Sequence, residues 1–175
     1  AIYGSSELTT GKRLHTLFRE HGVRARTELK QMIGGEGFQR LVWVPNVEEA
    51  TAFARELHHR LGGELVITPA PLISPGWTQP EFLAFWETVI RTRCKAVYFG
   101  DDWEYSNGCA FEFAVAHDAG IPTYDAGGES LTLEQGVEKI VAAVAELEAE
   151  GFDASKLRES LARLETVRGA LASRG

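Results

Sequence analysis

From Leu41 onward, short apolar runs alternate with amphipathic stretches, and each junction carries Gly, Pro or Asn. A chain written this way folds as a parallel sheet covered by helices. Leu41, Val42, Trp43 and Val44 read as a strand closed by Pro45 and Asn46. Asn46 with Glu49 then reads as a cap for a helix whose Ala50, Phe53, Ala54, Leu57 and Leu61 share one face. Gly62 and Gly63 end that helix. Residues 64–67 form the next expected strand, followed by a proline-broken loop through Trp77. Thr78 with Glu81 has the pattern of a capping box, ahead of Phe82, Phe85, Trp86 and Val89 at helical spacing. A strand over 96–99, a helix over 110–119 ended by Gly120, and a strand over 121–124 complete a β-α-β-α-β-α-β order. Two helices close the chain. Val137, Ile140, Val141, Val144 and Leu147 form the apolar stripe of one, and Leu157, Leu161, Leu164, Val167 and Leu171 that of the other, with Gly151 between them.

The expected fold is therefore α/β, with a flavodoxin/Rossmann-like parallel sheet of four or five strands and helices on both faces. Its expected parts are a helical extension over 1–40, a core over 41–128 and a helical hairpin over 129–175. Ile2 and Tyr3 supply the fifth strand if they pair with the sheet. Leu14, Leu17 and Phe18, then Leu29, Met32 and Ile33, mark two helices in the extension.

A length of 175 residues suits one core with a helical appendage. Hydrophobic residues at 44% and charged residues at 25% are those of an ordinary globular chain, and neither a membrane span nor a signal peptide is visible. The net charge of −7 argues against a broad electrostatic footprint on nucleic acid. The charge is uneven: residues 1–40 hold seven Lys or Arg against four Glu, so the remainder is strongly acidic. Cys94 and Cys109 stand alone, without metal or redox spacing, which suits a reducing cytoplasm and gives no reason to expect zinc. No Gly-x-Gly-x-x-Gly turn follows any expected strand, so no dinucleotide cofactor is implied.

The chemistry concentrates between Val97 and Glu112. There an apolar strand runs into Gly100, Asp101, Asp102, Trp103, Glu104 and Tyr105, and then Ser106, Asn107 and Gly108 precede a helix that carries Glu112 in its first turn. Open α/β sheets bind ligands at the carboxyl ends of their strands, and this acidic turn sits at such an end. Trp77, Trp103 and Tyr105 lie in loops where flat rings can hold a base, whereas Trp43 and Trp86 read as core. His58, His59 and His117 read as solvated or capping residues, and the spacings assemble no catalytic triad.

Ser106-x-Gly108-x-x-Phe111-Glu112, set between a strand and a helix and followed by Gly120, Ile121 and Pro122, resembles the nucleoside 2-deoxyribosyltransferase superfamily. The closest branch is the nucleoside 5′-monophosphate N-glycosidases, and the resemblance spans roughly residues 41–128. It implies that Glu112 is the nucleophile at the anomeric carbon. It implies a second carboxyl that protonates the departing base, with Asp101, Asp102 and Glu87 all eligible. It implies that Ser106, with Asn107 and Gly108, receives a 5′-phosphate. In this family the first strand ends in a tyrosine- or glycine-containing loop. Tyr3, Gly4, Ser5 and Ser6 offer such an element, since Pro45 and Asn46 do not. The expected activity is hydrolysis of the base–sugar bond of a nucleotide by a cofactor-free homodimer; base exchange between deoxynucleosides and non-catalytic nucleotide sensing are the alternatives.

Overall fold

In the computed structural model, which describes residues 1–72 and 74–173, the sheet begins almost at the amino terminus. Strand β1 (Ile2–Ser5) lies in the middle of a four-stranded parallel sheet whose order is β2–β1–β3–β4, with β2 at Val66–Ile67, β3 at Ala96–Phe99 and β4 at Thr123–Tyr124. Between β1 and β2 come helices α1 (Lys12–His21), α2 (Arg26–Phe38) and α3 (Val44–Arg60). Helix α4 (Gln79–Arg93) joins β2 to β3, and α5 (Asn107–Asp118) joins β3 to β4. Helices α6 (Leu133–Ala149) and α7 (Ser155–Ala172) form the closing hairpin. This is a Rossmann-like α/β fold with helices on both faces of the sheet.

The expected strand over Leu41–Val44 is a helix. Gln39–Trp43 is a π turn that runs straight into α3, and the N–H of Val44 reaches back to the carbonyl of Gln39. Pro45 explains the widened turn. It has no N–H to give to the carbonyl four residues back, and its ring would crowd that carbonyl in a regular α-helix. Asn46 consequently lies inside the helix rather than at its cap, and it is fully buried. The alternating β-α order thus starts at Ile2, and β1, drawn from the segment expected as a helical extension, is the central strand.

The alternation along the strands divides the core. Ile2, Ala96 and Tyr98 face α3, where they pack with Leu57 and Phe53. Tyr3, Val97 and Phe99 face the other way, onto Trp86 and Ile90 of α4 and Ala110 and Phe113 of α5. Each such fully buried large side chain stabilises the fold by roughly 1.5–3 kcal/mol. The expected capping box of Thr78 with Glu81 starts α4, and a second box, Thr132 with Gln135, starts α6. No helix among the described residues is long and apolar enough to cross a membrane.

The strand order fixes where a ligand can enter. From β1 the chain moves outward to β2, then crosses back to β3 on the other side. The carboxyl ends of β1 and β3 therefore flank the topological switch point, where loops diverge and a crevice opens.

Candidate active site

Helix α5 starts at this crevice. Ser106 has extended backbone angles and its hydroxyl accepts the N–H of Cys109 at 3.4 Å, a serine N-cap. From that start Glu112 points back under the sheet, 5% exposed. Tyr3 and Ser5 are two apart on β1 and share its inner face, so both reach the same carboxylate. The Tyr3 hydroxyl donates to Oε1 at 2.7 Å, and the Ser5 hydroxyl donates to Oε2 at 2.5 Å. Trp86 stacks edge-on against the Tyr3 ring, with centroids 5.8 Å apart, and fixes its position.

Burial dominates the electrostatics of this carboxyl. It pushes Glu112 up to about 7, although the hydrogen bonds from Ser5 and Tyr3 pull the other way. Burial, and then the neighbouring Glu112 charge, likewise raises Tyr3, which stays a hydrogen-bond donor. Cys109, one helical turn before Glu112, is pushed up by burial and is an inert thiol. A glutamate poised near neutrality by its surroundings is the property expected of an acid, base or nucleophile.

A cavity of about 910 Å³ lies over the ends of β1 and β3. Ser6 and Gly100, the residues that follow the two strands, line it, as do Asp101 and Asp102. Glu112 does not itself line the cavity. Ser5 holds its carboxylate, and the next residue, Ser6, faces the cavity.

The other expected site residues divide by location. Asp101 is an exposed part of the wall. Asp102 is the one non-glycine residue among those described with positive φ, at 58°, and it pairs with Lys12 at 2.9 Å across the crevice. Ser106 is 2% exposed, close to Thr10, whose hydroxyl accepts the N–H of Asn107 at 3.1 Å. Gly108 follows in the first turn of α5. Trp103 is in the core, 3% exposed, with Phe99 and Phe113 centroids 4.8 and 4.7 Å away. Tyr105 donates its hydroxyl to Glu146 of α6 at 2.6 Å, a bond that pushes the phenol up to about 12. Trp77 is exposed outside the cavity wall and packs edge-on against Phe82 and Phe85. Glu87 binds Arg163 at 2.7 Å and Arg91 at 3.0 Å, tying α4 to α7 and holding the Glu87 carboxyl below its usual range.

Glu7, Arg13 and Asn46 also line the crevice; nothing in the sequence singles out the first two, and Asn46 reads there only as a helix cap. Asn46 accepts from Arg13 Nε at 2.7 Å and donates to the carbonyl of Leu8 at 2.9 Å, which anchors the loop between β1 and α1. Among the described residues, no group of three His, Cys, Asp or Glu side chains converges to hold a metal ion.

No curated protein and no solved structure matches the chain. A family model described as a domain of unknown function, DUF4406, matches residues 44–125, a little under half of the chain; the match takes in Glu112 and the acidic turn and leaves out Tyr3 and Ser5.

Proposed function

We propose that this protein cleaves the N-glycosidic bond between base and sugar in a nucleoside or its 5′-monophosphate, with Glu112 as nucleophile. The observation that carries the reading is the Glu112 carboxyl itself: buried, gripped by Tyr3 and Ser5, and held near neutral pKa, with Ser6, the residue after Ser5, in the crevice wall. The resemblance around Ser106, Gly108 and Glu112 supports the same chemistry.

In this mechanism one Glu112 oxygen attacks the anomeric carbon as the C–N bond breaks, and the bonding electrons leave on the base nitrogen. Tyr3 and Ser5 fix the orientation of the carboxylate, one donor on each oxygen, so that it attacks without rotamer search. A proton passes to the departing base nitrogen through Asp101, the carboxyl of the cavity wall. Asp102 is engaged by Lys12, whereas Asp101 lies in the cavity wall with no ion pair among the described residues. Water then attacks the anomeric carbon, breaking its bond to Glu112 and giving up a proton through Asp101, which releases the free sugar or sugar phosphate and restores both carboxyls.

Base exchange is the second reading, favoured by the enclosure of Glu112, which keeps water from the intermediate. A homodimer, as in the resembled family, belongs to the same proposal. So does a reducing cytoplasmic setting, which the two free thiols of Cys94 and Cys109 support.

The test is incubation with nucleosides and their 5′-monophosphates, followed by chromatography for free base. Equimolar base and sugar are expected for hydrolysis. Adding a second base yields a new nucleoside if transfer is the reaction. Tight binding by calorimetry with no base released would make the site a nucleotide sensor instead.

A further inference from the structure

The wall of the crevice is acidic, and its cations are already taken. Lys12 is paired with Asp102 at 2.9 Å. Arg13 is paired with Glu49, and its Nε is held by Asn46. Glu7, Glu20 and Asp101 face the same cavity with no ion pair among the described residues.

Glu7 is the fixed member of this set. Its carboxylate accepts the N–H of Lys12 at 2.8 Å and of Arg13 at 3.4 Å, so it caps the amino end of α1. Gly11 makes the approach feasible: its φ is +122°, and a Cβ there would collide with the Glu7 carboxylate. Burial raises the Glu7 pKa and these two amides oppose the rise, so the carboxylate is held in place on amides that an incoming anion would otherwise use. The amide at the start of α5 is occupied as well, by Thr10, and Ser106 uses its hydroxyl as the cap of α5. A phosphate entering here meets a fixed carboxylate and loses water without gaining a free cation. A neutral sugar meets acceptors for its hydroxyls.

We propose that Glu7 sets the charge of the substrate: the crevice takes the unphosphorylated nucleoside, and Glu7 excludes the 5′-monophosphate. This rests on the reading of Glu112 as the glycosidic nucleophile. It departs from the phosphate role that the resemblance implies for Ser106. Discrimination arises from an unpaired charge placed against the competitor rather than from an added contact to the favoured substrate.

The experiment compares kcat/KM for a nucleoside and its 5′-monophosphate in the wild-type protein and in Glu7→Gln, which keeps an oxygen for the Lys12 amide. The wild type is expected to prefer the nucleoside by about 100-fold, and Glu7→Gln to narrow that ratio by about tenfold, mainly through a faster monophosphate reaction. A wild-type preference for the monophosphate overturns the proposal, and so does an unchanged ratio in a folded Glu7→Gln. If that variant does not fold, the wild-type ratio decides alone. If the wild type releases base from neither compound, the Glu112 reading fails, and calorimetric affinities for the two compounds decide the role of Glu7: tighter monophosphate binding overturns it, and tighter nucleoside binding upholds it.

Discussion

Glu112→Gln is expected to lower kcat for base release by about 10³-fold or more while the substrate is still bound. Glutamine matches glutamate in size and keeps an oxygen for one of the donors, Tyr3 or Ser5, so the local structure has little reason to rearrange. It cannot form a glycosyl ester or carry a negative charge. Loss of a nucleophile that acts only in the transition state lowers kcat and kcat/KM together and leaves binding in place. The measurement is steady-state kinetics of base release beside the calorimetric affinity of the same variant. A fall in affinity equal to the fall in rate would assign Glu112 to binding instead.

The same substitution is expected to stabilise the protein at alkaline pH. Glu112 has an ordinary value near 4.5 when unfolded and about 7 in the fold, because burial opposes its charge. The folded state therefore holds its proton more tightly than the unfolded state. The resulting stability is fully present below pH 4.5 and is lost as the pH rises through 7. Above that, an ionised and almost fully enclosed carboxylate costs about 3 kcal/mol relative to an exposed one. Glutamine has no such loss. Denaturant midpoints should differ little at pH 4.5 and favour Glu112→Gln increasingly up to pH 8, by an amount on the order of 2–3 kcal/mol. A gap that closes as the pH rises would contradict the assigned origin of the shift. The trade is characteristic of a functional group kept in a poor electrostatic environment for its chemistry.

Much of this architecture is legible residue by residue, because the signals are local. A run of buried Ala96, Val97, Tyr98 and Phe99 ended by Gly100 can hardly be anything but a strand, and the capping boxes at Thr78 and Thr132 declare themselves within four residues. Leu41 to Val44 misleads for an equally local reason. Four apolar residues fit a buried strand and a helix alike, and Pro45 can end the first or widen the second. The position of Glu112 follows from its motif. Its setting does not, because Tyr3 and Ser5 reach it from 109 and 107 residues away. Long-range packing also removes Trp103 into the core and draws Tyr105 onto Glu146 and Glu87 onto Arg163. An aromatic or a carboxylate near a site in sequence has the reach to serve the fold instead. Glu7 carries no local signal at all, since its role depends on the bend at Gly11.

The most direct test is the pH dependence of kcat/KM for base release in the wild-type protein and in Tyr3→Phe. Ionised Glu112 is the reactive form, so the wild-type rate should rise with pH through a limb near 7. Removing the Tyr3 hydroxyl takes away a donor that favours the ionised form, so the limb should move up by about one unit. A limb at the ordinary glutamate range of about 4–5, or one that Tyr3→Phe leaves in place, would contradict the account.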